Sequence, residues 1–541
     1  MAIFCGQADG QVVDRERPAE WKNLVPGAQF KDHILPMPVR KGLTSNCWGG
    51  ENVTPRDIDN GIEDPEWTYW GGDAHKDENG LYHLFVTRWP ESHRDGHFGY
   101  FDSEIVHAVA LDPMGPYRYQ DTLGEGNNPE LLIPPKMKNG KYVVYSVYGR
   151  YFISDSLNGP WKRRAYDFHK RERYVFNGYL NFSFAPRDDG SYLAVSRRGH
   201  IWASPDGVEN WYNTSAESVY HKLEGIFEDP VLWKDDIQYH IIVNDWKGRI
   251  AYYLRSKDGF HWKPEAGEAY VPGISTYEDG TKSEWYKYER IRFLFDEQQR
   301  PSIVFFAVAD CIKHDDLDND NHSGKLIALP MRKARLLEML NTSPVTATTQ
   351  EIRVKVKAEE GFNPHTDLDL ASLRYGSSDE VNFGRGSQLV RSEKSGEDLI
   401  LVFNGKDCGF TAENFAGKLL GKDAAGELIF GWSSLPGPKE QVQYLSTLSP
   451  KFEFTNDGLV AYIEVQNFGE LVSKPSSVRL LQGDEEIGLG SVRPLKPFET
   501  SIVQVKVKKR LKPGSQSKFT VTVESEGYPS ESFTKAVRLP L

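Results

Sequence analysis

The sequence predicts an all-β protein: a five-bladed β-propeller followed by one or two immunoglobulin-like β-sandwich modules. Three observations favour this fold. A hairpin motif recurs five times before residue 345, an outer-strand motif follows the first four copies, and short alternating strands fill the chain after residue 350. One hairpin plus one outer strand per repeat builds a four-stranded propeller blade.

The hairpin motif consists of an acidic or glycine-containing turn followed by a short apolar strand. Asn-Gly and Asp-Gly pairs at several of these turns supply the positive φ angles that tight hairpins need. The copies lie roughly 50 to 60 residues apart, as expected for repeated blades. They span residues 76–86, 137–145, 187–195, 234–243 and 295–306.

The outer-strand motif is a Ser or Asp, then a glycine, then an aromatic residue. Each copy follows a hairpin and supplies the outer edge of a predicted blade. The copies span residues 112–117, 155–161, 204–211 and 256–262.

The aromatic content changes sharply near residue 345. Twelve of the 13 Trp lie before residue 290, and only one of the 14 His lies beyond residue 345. Beyond this point, short strands with alternating apolar residues replace the hairpin repeat. Residues 336–349 are predicted to form a linker, and the part of the chain after residue 350 is predicted to be removable. The predicted domains are an N-terminal extension over 1–44 that packs on the propeller, the propeller over 45–340, a β-sandwich over 350–447 and an immunoglobulin-like β-sandwich over 448–541.

Composition argues against several classes of function. The chain of 541 residues has a net charge of −12 without a Lys/Arg cluster, so nucleic-acid binding is not expected. No apolar run approaches the roughly 18 residues that a membrane helix needs. The four scattered cysteines form neither a zinc spacing nor a disulfide framework. The N-terminus lacks the basic start of a signal peptide, so the protein is either cytoplasmic or has had an export signal removed.

The first strand of each predicted blade lines a central funnel, so polar residues ahead of each hairpin turn are expected to face one pocket. Four of the five repeats place a carboxylate there, and burying like charges is costly unless their pKa values separate. Glycosidic cleavage needs two such carboxylates, a protonated acid and an ionised base or nucleophile. The candidate residues are Trp70, Asp73, His75, Asn128, Glu130, Asn181, Ser183, Glu228, Asp229, Glu289 and Arg290.

The run Glu228-Asp229-Pro230 and the acidic turn after it resemble the general-acid strand of the five-bladed propeller glycoside hydrolases. That group holds the arabinanases, xylosidases, levanases and neoagarobiose hydrolases. Asn128-Pro129-Glu130 is similar to the family's second-blade strand, in which Pro precedes a carboxylate that orients the substrate. The resemblance covers about residues 45–335 and implies Glu228 as general acid, Asp73 as base or nucleophile and Glu130 as modulator of the acid.

Two features depart from the family pattern. The family's acid usually comes from the third blade, whereas Glu228 lies in the fourth repeat, and Asp73 lies two or three residues late in its strand. Some relatives use a histidine as the acid, so His75 and His322 are alternatives. The residues themselves predict a raised pKa for Glu228, on an apolar strand beside Phe227, and an ionised Asp73 among polar neighbours.

Further residues are expected to bind the sugar. The full set of predicted substrate contacts is His75, Trp70, Asn128, Asp229, Asp245, Glu289, Arg290 and His322. Sugar rings stack on aromatic side chains, although buried core positions explain Trp residues equally simply; the candidates are Trp48, Trp67, Trp70, Trp89, Trp246 and Trp285. The guanidinium groups of three arginines could bind a carboxylate or sulfate on an acidic sugar. A solvated position, or one that bridges two blades, explains each of these arginines as well. The arginines in question are Arg88, Arg249 and Arg290.

The predicted chemistry requires no cofactor and no catalytic metal. Two acidic runs, 57–64 and 314–322, carry the oxygen ligands that a structural Ca²⁺ uses, although a solvated charge run explains each of them as well.

The leading hypothesis is an exo-acting glycoside hydrolase that removes terminal sugars from a plant or algal polysaccharide or oligosaccharide, with sulfated and anhydro-sugar substrates included. With that function, we expect a secreted or periplasmic protein whose signal peptide has been removed. The alternatives are a non-catalytic carbohydrate-binding propeller and a polysaccharide lyase, which uses a His, Tyr or Lys base beside a group that neutralises a uronate. The oligomeric state and the sugar specificity are left open.

Overall fold

The computed structural model describes residues 12–39, 60–132, 140–147, 149–169, 181–215, 217–320, 322–346, 348–437 and 441–541. Strands dominate these residues, and the single α-helix among them is the short Ser378–Val381, so the predicted all-β class is confirmed. The described residues also contain four short 3-10 helices: Ala19–Asn23, Phe30–His33, Gly96–Asp102 and Gly405–Asp407. No helix in the described part is long and apolar enough to cross a membrane.

Five antiparallel sheets follow one another along the first two thirds of the chain, and consecutive strands are neighbours within each sheet. The first sheet contains β1 (Trp67–Lys76), β2 (Tyr82–Pro90), β3 (Glu104–Ala110) and β4 (Arg118–Glu125). The second contains β5 (Glu130–Leu132), β6 (Tyr142–Ser146), β7 (Arg150–Ser154) and β8 (Lys162–Ala165). The third contains β9 (Phe182–Pro186), β10 (Tyr192–Ser196), β11 (Ile201–Ser204) and β12 (Tyr212–Asn213).

The last two sheets follow the same order. The fourth contains β13 (Phe227–Lys234), β14 (Tyr239–Asp245), β15 (Ile250–Ser256) and β16 (Lys263–Pro264). After a two-stranded hairpin, β17 (Ser275–Thr276) and β18 (Lys282–Ser283), the fifth contains β19 (Lys287–Phe295), β20 (Pro301–Ala309) and β21 (Gly324–Pro330). The segment 12–39 packs on these sheets through the bridges Ile34–Met331 and Met37–Tyr277.

The first strands of the five sheets contact one another in a closed order. β1 contacts both β5 and β19, β9 contacts β5 and β13, and β13 contacts β19. The hairpin turns predicted in the first, third, fourth and fifth repeats therefore lie at the same end of this ring, the end at which each first strand finishes. The predicted turn of the second repeat lies outside the described residues.

A closed barrel comes next. Its strands are β22 (Arg335–Met339), β23 (Glu351–Val356), β24 (Arg374–Gly376), β25 (Ser387–Ser395), β26 (Asp398–Asn404), β27 (Ala416–Lys422) and β28 (Leu428–Ser434). β22 pairs with β23 and β28, so residues 336–339, expected to open a linker, belong to this barrel.

Two four-stranded sheets end the chain and share one apolar core. The first contains β29 (Leu445–Thr447), β30 (Lys451–Thr455), β31 (Gly458–Asn467) and β34 (Thr500–Lys506). The second contains β32 (Ser476–Gln482), β33 (Glu485–Val492), β35 (Gln516–Ser525) and β36 (Glu531–Arg538). The alternation of buried and exposed residues along β31 and β35 is that of sheets with one covered face.

The C-terminal sheets and barrel are tied to the fourth sheet by buried contacts. The ring of Phe260 stacks on Tyr444 with centroids 3.9 Å apart. Arg255 and Glu265 form a buried ion pair, and the hydroxyl of Ser378 in the barrel region hydrogen-bonds to both. These contacts remove aromatic and charged groups from water on both sides of the boundary.

We expect a chain that ends at residue 345 to be destabilised. It would expose Phe260, leave the Arg255–Glu265 pair without Ser378 and deprive β22 of both partner strands. Its unfolding midpoint in calorimetry is expected to lie roughly 5 °C or more below that of the full chain. An unchanged midpoint would show that the C-terminal part is removable.

Candidate active site

A left-handed backbone residue lies near the start of the first strand in four of the five sheets. These residues are Gly71, Asn128, Asp229 and Arg290, with φ between 51° and 54°. At this point β1, β13 and β19 each contain extra residues that have no partner on the neighbouring strand, and such an insertion is a β-bulge. Asn and Asp tolerate this conformation better than most residues, whereas Arg290 pays a larger steric cost.

The left-handed residues lie close to one another inside the ring of first strands. A Cβ atom added to Gly71 would lie 3.2 Å from side-chain atoms of both Arg290 and Asn128, so glycine allows this close approach. Arg290 Nη1 lies 2.8 Å from Asp229 Oδ1, and the Asn181 amide donates to the same oxygen at 3.0 Å. The third sheet thus contributes Asn181 to the same ring.

Two residues after this ring, a second layer of side chains links neighbouring sheets. Asp73 Oδ2 accepts a hydrogen bond from the Leu131 N–H of the next first strand at 2.8 Å. Glu130 Oε1 accepts from the Phe184 N–H at 2.8 Å. Ser183 Oγ in turn accepts from the Leu232 N–H at 2.8 Å. We call Asp73, Glu130, Ser183 and Arg292 the clamp layer.

Arg292 supplies the positive charge of the clamp layer. Its Nη2 lies 2.9 Å from Glu130 Oε2, and its Nη1 donates to the Pro230 carbonyl at 3.1 Å. Burial raises the pKa of Asp73 to about 6 and that of Glu130 to about 7, while Arg292 opposes both rises. The clamp carboxylates therefore have their oxygens engaged by backbone, hydroxyl and guanidinium groups of other sheets.

Below the clamp layer, at the hairpin end of the first strands, lies a cavity of about 1450 Å³. Asp73, His75 and Glu130 line it, together with Arg292 and residues near the start of the barrel such as Glu359. Trp70, the bulge residues and Glu228 are not among its lining residues.

Asp73 has the polar neighbours expected from the sequence, Glu130 and Arg292, but it is buried, and burial raises its pKa to about 6 against the opposing charge of Arg292. The four carboxylates expected at one level of the funnel also divide into two layers. Asp73 and Glu130 lie in the clamp layer, and Glu228 and Glu289 lie before the bulges.

Around the bulges, carboxylates and cations form three neighbouring groups of ion pairs whose charges act on one another, and we call them together the ion cluster. It contains three acidic and four basic side chains: Glu228, Asp229, Glu289, Arg197, Lys287, Arg290 and Lys313. Its accessible edge is formed by Glu228, Arg197 and Lys313, whose side chains are 19 %, 28 % and 24 % exposed.

Asp229 is the buried acid of the ion cluster. Burial raises its pKa to about 7; Arg290 opposes the rise, and the charges of Glu228 and Glu289 add to it. Its Oδ1 holds Arg290 and Asn181, while Oδ2 has no hydrogen-bond partner among the described residues. Near neutral pH, Asp229 is therefore partly protonated.

The other two carboxylates of the ion cluster face cations. Glu228 Oε1 lies 3.1 Å from Arg197 Nη2, so Glu228 lies in an ion pair and not in the apolar surroundings expected from its strand. Glu289 lies 3.1 Å from Lys287 Nζ and 2.8 Å from Lys313 Nζ. Burial disfavours its charge, but Lys313 and Lys287 hold the pKa of Glu289 well below its usual range.

Aromatic rings border the ion cluster. Lys313 Nζ lies 4.9 Å from the centroid of the Trp70 ring, and Lys287 Nζ lies 4.9 Å from that of Trp246. His97 packs edge-on against Trp70 with ring centroids 4.7 Å apart. Trp70 and Trp246 are thus the two predicted stacking residues that the fold brings to the charged groups.

Other predicted binding residues have structural partners elsewhere. Asp245 is fully buried and accepts hydrogen bonds from Arg15 at 2.7 Å and from the Ile226 N–H at 3.0 Å. His322 Nδ1 lies 3.1 Å from Asp310 Oδ2. The Arg88 guanidinium lies over the Trp67 and Tyr119 rings and pairs with Glu104, away from the ion cluster.

A few predicted residues remain. Arg249 lies over the Tyr286 ring. Trp89 is buried beside His97, and Trp285 lies in the core around the fifth sheet. Trp48 and the acidic residues 57–59 fall outside the described residues.

Sequence reasoning missed Arg197, Lys287 and Lys313. Arg197 follows β10 and Lys313 follows β20, so both come from connections between the second and third strands of their sheets. No hydrophobic period or short motif marks such loop residues, whereas Lys287, two residues before Glu289, could have been found from its place on the strand.

Comparison with known proteins gives structural likenesses only. No family model matches the sequence, and no curated protein does. The structure is similar to Zg3597, a family 117 glycoside hydrolase from the marine bacterium Zobellia galactanivorans, with 12% identity and a TM-score of 0.31 over 50% of this chain and 88% of that one. It is also similar to an alpha-L-arabinofuranosidase from Lactobacillus brevis, with 10% identity and a TM-score of 0.33 over 50% of this chain and 92% of that one.

A third likeness covers more of the chain. An engineered GH43 glycoside hydrolase with endo-xylanase and exo-arabinofuranosidase activity matches at 11% identity and a TM-score of 0.32, over 88% of this chain and 92% of that one. The resemblance to propeller glycoside hydrolases predicted from the motifs is thus confirmed as a likeness. At these identities and TM-scores it says nothing about the roles of individual residues.

We expect Asp73→Asn to leave turnover within about tenfold of wild type, because the clamp layer lies beyond the ion cluster; loss of a catalytic base costs about 10²- to 10⁴-fold. The amide oxygen of Asn can still accept the Leu131 N–H. A loss of that larger size with unchanged stability would restore Asp73 as the base.

The same variant tests the raised pKa of Asp73. Because that pKa is raised to about 6 in the folded state, the stability that the protonated group contributes is present below its unfolded pKa and is lost as pH rises through 6. The free energy of unfolding of the wild type should therefore fall more between pH 4 and pH 8 than that of Asp73→Asn, as measured by urea unfolding at each pH.

Proposed function

We propose that this chain is a glycoside hydrolase whose reaction takes place at the ion cluster. The observation that carries the proposal is the pair Glu228 and Asp229, two adjacent carboxylates with opposite environments. Asp229 is buried, has a pKa of about 7 and keeps one free oxygen, whereas Glu228 is partly exposed and paired with Arg197. Two carboxylates whose environments separate their protonation states are what glycosidic hydrolysis uses.

In this proposal Asp229 is the general acid. It passes its proton to the glycosidic oxygen as the bond to the anomeric carbon breaks, so the leaving group departs as an alcohol. Glu228 faces the anomeric centre and takes a proton from the water whose oxygen bonds to the anomeric carbon, which gives the released sugar its hydroxyl group. That proton then passes to solvent, and Asp229 takes up a proton from solvent for the next cycle. Glu289 stays ionised between two lysines and holds up the pKa of Asp229.

These roles differ from the prediction from the sequence, in which Glu228 is the acid, Asp73 the base or nucleophile and Asp229 a substrate contact. Glu228 lies in an ion pair with Arg197, and not in the apolar surroundings from which its role as the acid was predicted. Asp229, which the sequence assigned to substrate binding, has the raised pKa that an acid catalyst needs near neutral pH.

We propose a substrate that carries a negative charge, such as a uronate or a sulfated sugar. The ion cluster holds four cations against three carboxylates, of which Asp229 is partly protonated, so it has an excess of positive charge. Arg197 and Lys313 lie at the accessible edge, where an anionic group would arrive.

The wider proposal follows the sequence. The closed order of first strands and the five successive sheets support a five-bladed propeller, with the ion cluster in its funnel and exo action at a chain end. The C-terminal sheets would be immunoglobulin-like modules. A protein that degrades plant or algal polysaccharide is expected to be secreted or periplasmic.

The acid and the base are separated by their response to the leaving group. Asp229→Asn should lose about 10²- to 10⁴-fold in kcat on anionic oligosaccharides but retain most activity on aryl glycosides of the same sugar, which need no proton. Glu228→Gln should lose activity on both. Asn also suits the left-handed backbone at residue 229. The matched control is Glu224→Gln, a neutralised exposed carboxylate near the same strand, which should behave as wild type.

Each other outcome of these assays has a definite meaning. The reverse pattern of the two variants would restore Glu228 as the acid. An unsaturated product in mass spectrometry would identify a lyase, and saturable binding of oligosaccharides without any product would identify a binding protein.

The pH dependence gives a separate prediction. Because the acid must be protonated, kcat/KM on natural substrates should fall as pH rises through about 7, the raised pKa of Asp229. Initial rates between pH 5 and pH 9 measure this limb. In Asp229→Asn, assayed on an aryl glycoside, the fall should vanish; its persistence would assign the limb to another group.

A further inference from the structure

The loop that precedes β21, of which residues 310–320 and 322–323 are described, folds back over the end of β2. The Ser323 hydroxyl donates to Glu91 Oε2 at 3.0 Å, and the His97 N–H donates to the Asp316 carbonyl at 3.2 Å. A Cβ atom on Gly96 would lie 1.9 Å from that same carbonyl, so the two segments pack without space between them. The loop of the fifth sheet is therefore seated against the first sheet.

Three carboxylates meet where these segments touch. One oxygen each of Glu91, Asp316 and Asp320 lies within 4.8 Å of the other two. Glu91 and Asp316 are buried, with 7 % and 4 % of their surface exposed, and Asp320 is partly buried. His97 Nδ1 lies 3.5 Å from Asp316 Oδ2, and the N–H groups of Leu317 and His322 donate to Asp320. Three carboxylates this close and this far from water still repel one another strongly unless a cation lies between them.

Glu91 has an oxygen with nothing to bind in the described structure. Its Oε2 accepts hydrogen bonds from the hydroxyl groups of Thr68 and Ser323. Its Oε1 is buried and has no hydrogen-bond partner among the described residues. Leaving a buried carboxylate oxygen unpaired is costly, so this oxygen needs a ligand.

We propose that Glu91, Asp316 and Asp320 bind Ca²⁺. All three ligands are carboxylate oxygens, which hard divalent cations prefer, and Ca²⁺ accepts six to eight oxygen ligands in flexible geometry, so waters complete its shell. Glu91 lies more than 200 residues from the acidic run 314–322 in sequence, and only the fold brings it to that run.

The cation would also act on the ion cluster. Lys313, in the same loop, pairs with Glu289 at 2.8 Å and lies over the ring of Trp70. A cation that holds Asp316 and Asp320 against Glu91 fixes the loop that presents Lys313. The metal site is independent of the proposed reaction and stands or falls on binding alone.

The experiment uses the full chain after treatment with EDTA and gel filtration into metal-free buffer. Calorimetric titration with CaCl₂ should show saturable binding of one ion per chain, and the unfolding midpoint should rise with Ca²⁺ concentration as linkage requires. Glu91→Gln and, separately, Asp320→Asn should each weaken binding on the order of 10- to 100-fold. The control Asp318→Asn removes one charge from an exposed position in the same loop and should bind as wild type.

Titration with MgCl₂ tests the choice of ion, since Mg²⁺ demands octahedral geometry and keeps several waters. Binding of Mg²⁺ as tight as that of Ca²⁺ would overturn the assignment to Ca²⁺. Absence of saturable binding, or equal losses in Asp318→Asn and in the two ligand variants, would overturn the site itself. If Glu91→Gln fails to fold, Asp320→Asn decides the outcome.

Discussion

One left-handed residue near the start of a first strand determines what the side chains around it can do. Side chains alternate between the two faces of a regular strand, and a bulge resets that alternation. At Gly71, Asp229 and Arg290 this change in alternation gives the residues before the bulge different neighbours from the residues two positions after the left-handed residue. The earlier residues carry the ion cluster, and the later ones tie one sheet to the next.

The clamp layer shows how a ring of separate sheets is held together. Asp73, Glu130 and Ser183 each accept a backbone N–H from the first strand of the following sheet. Arg292 closes the layer through Glu130 and the Pro230 carbonyl. Buried carboxylates are stable in such a place because backbone N–H groups and the Arg292 guanidinium lie against their oxygens, and removing one partner would leave an unpaired group in the interior.

The three carboxylates of the ion cluster differ in how completely other groups bind them. Glu289 pairs with two lysines and Glu228 with Arg197. The charges of both glutamates repel a negative charge on Asp229. That residue has one oxygen held by Arg290 and Asn181 and one oxygen free. Burial raises the pKa of Asp229, and the charges of Glu228 and Glu289 add to the rise. In the proposed function, this raised pKa and the oxygen without a hydrogen-bond partner suit Asp229 to donate a proton.

The sequence by itself determined the all-β class, the recurring hairpins and the strands that carry charged residues, because hairpin turns and strand alternation are local features. It also pointed to Glu228, Asp229, Glu289 and Arg290, which stand together in short motifs. Only the tertiary structure decided which carboxylates share a layer. Asp73 and Glu130 lie ahead of hairpin turns as Glu228 and Glu289 do, yet each follows a left-handed residue by two positions and bonds to the next sheet. A one-position change of register is invisible in composition.

The tertiary structure alone also supplied the partners of the charged residues. Arg197, Lys313 and Glu91 reach their neighbours across gaps of tens to hundreds of residues, from loops that no periodicity marks. The environment of a carboxylate, and so its protonation, depends on which charges and hydroxyl groups surround it in space. For that reason the sequence predicted which residue types lie inside the ring of first strands. The proposed acid, the clamp layer and the candidate metal site could be identified only from the tertiary structure.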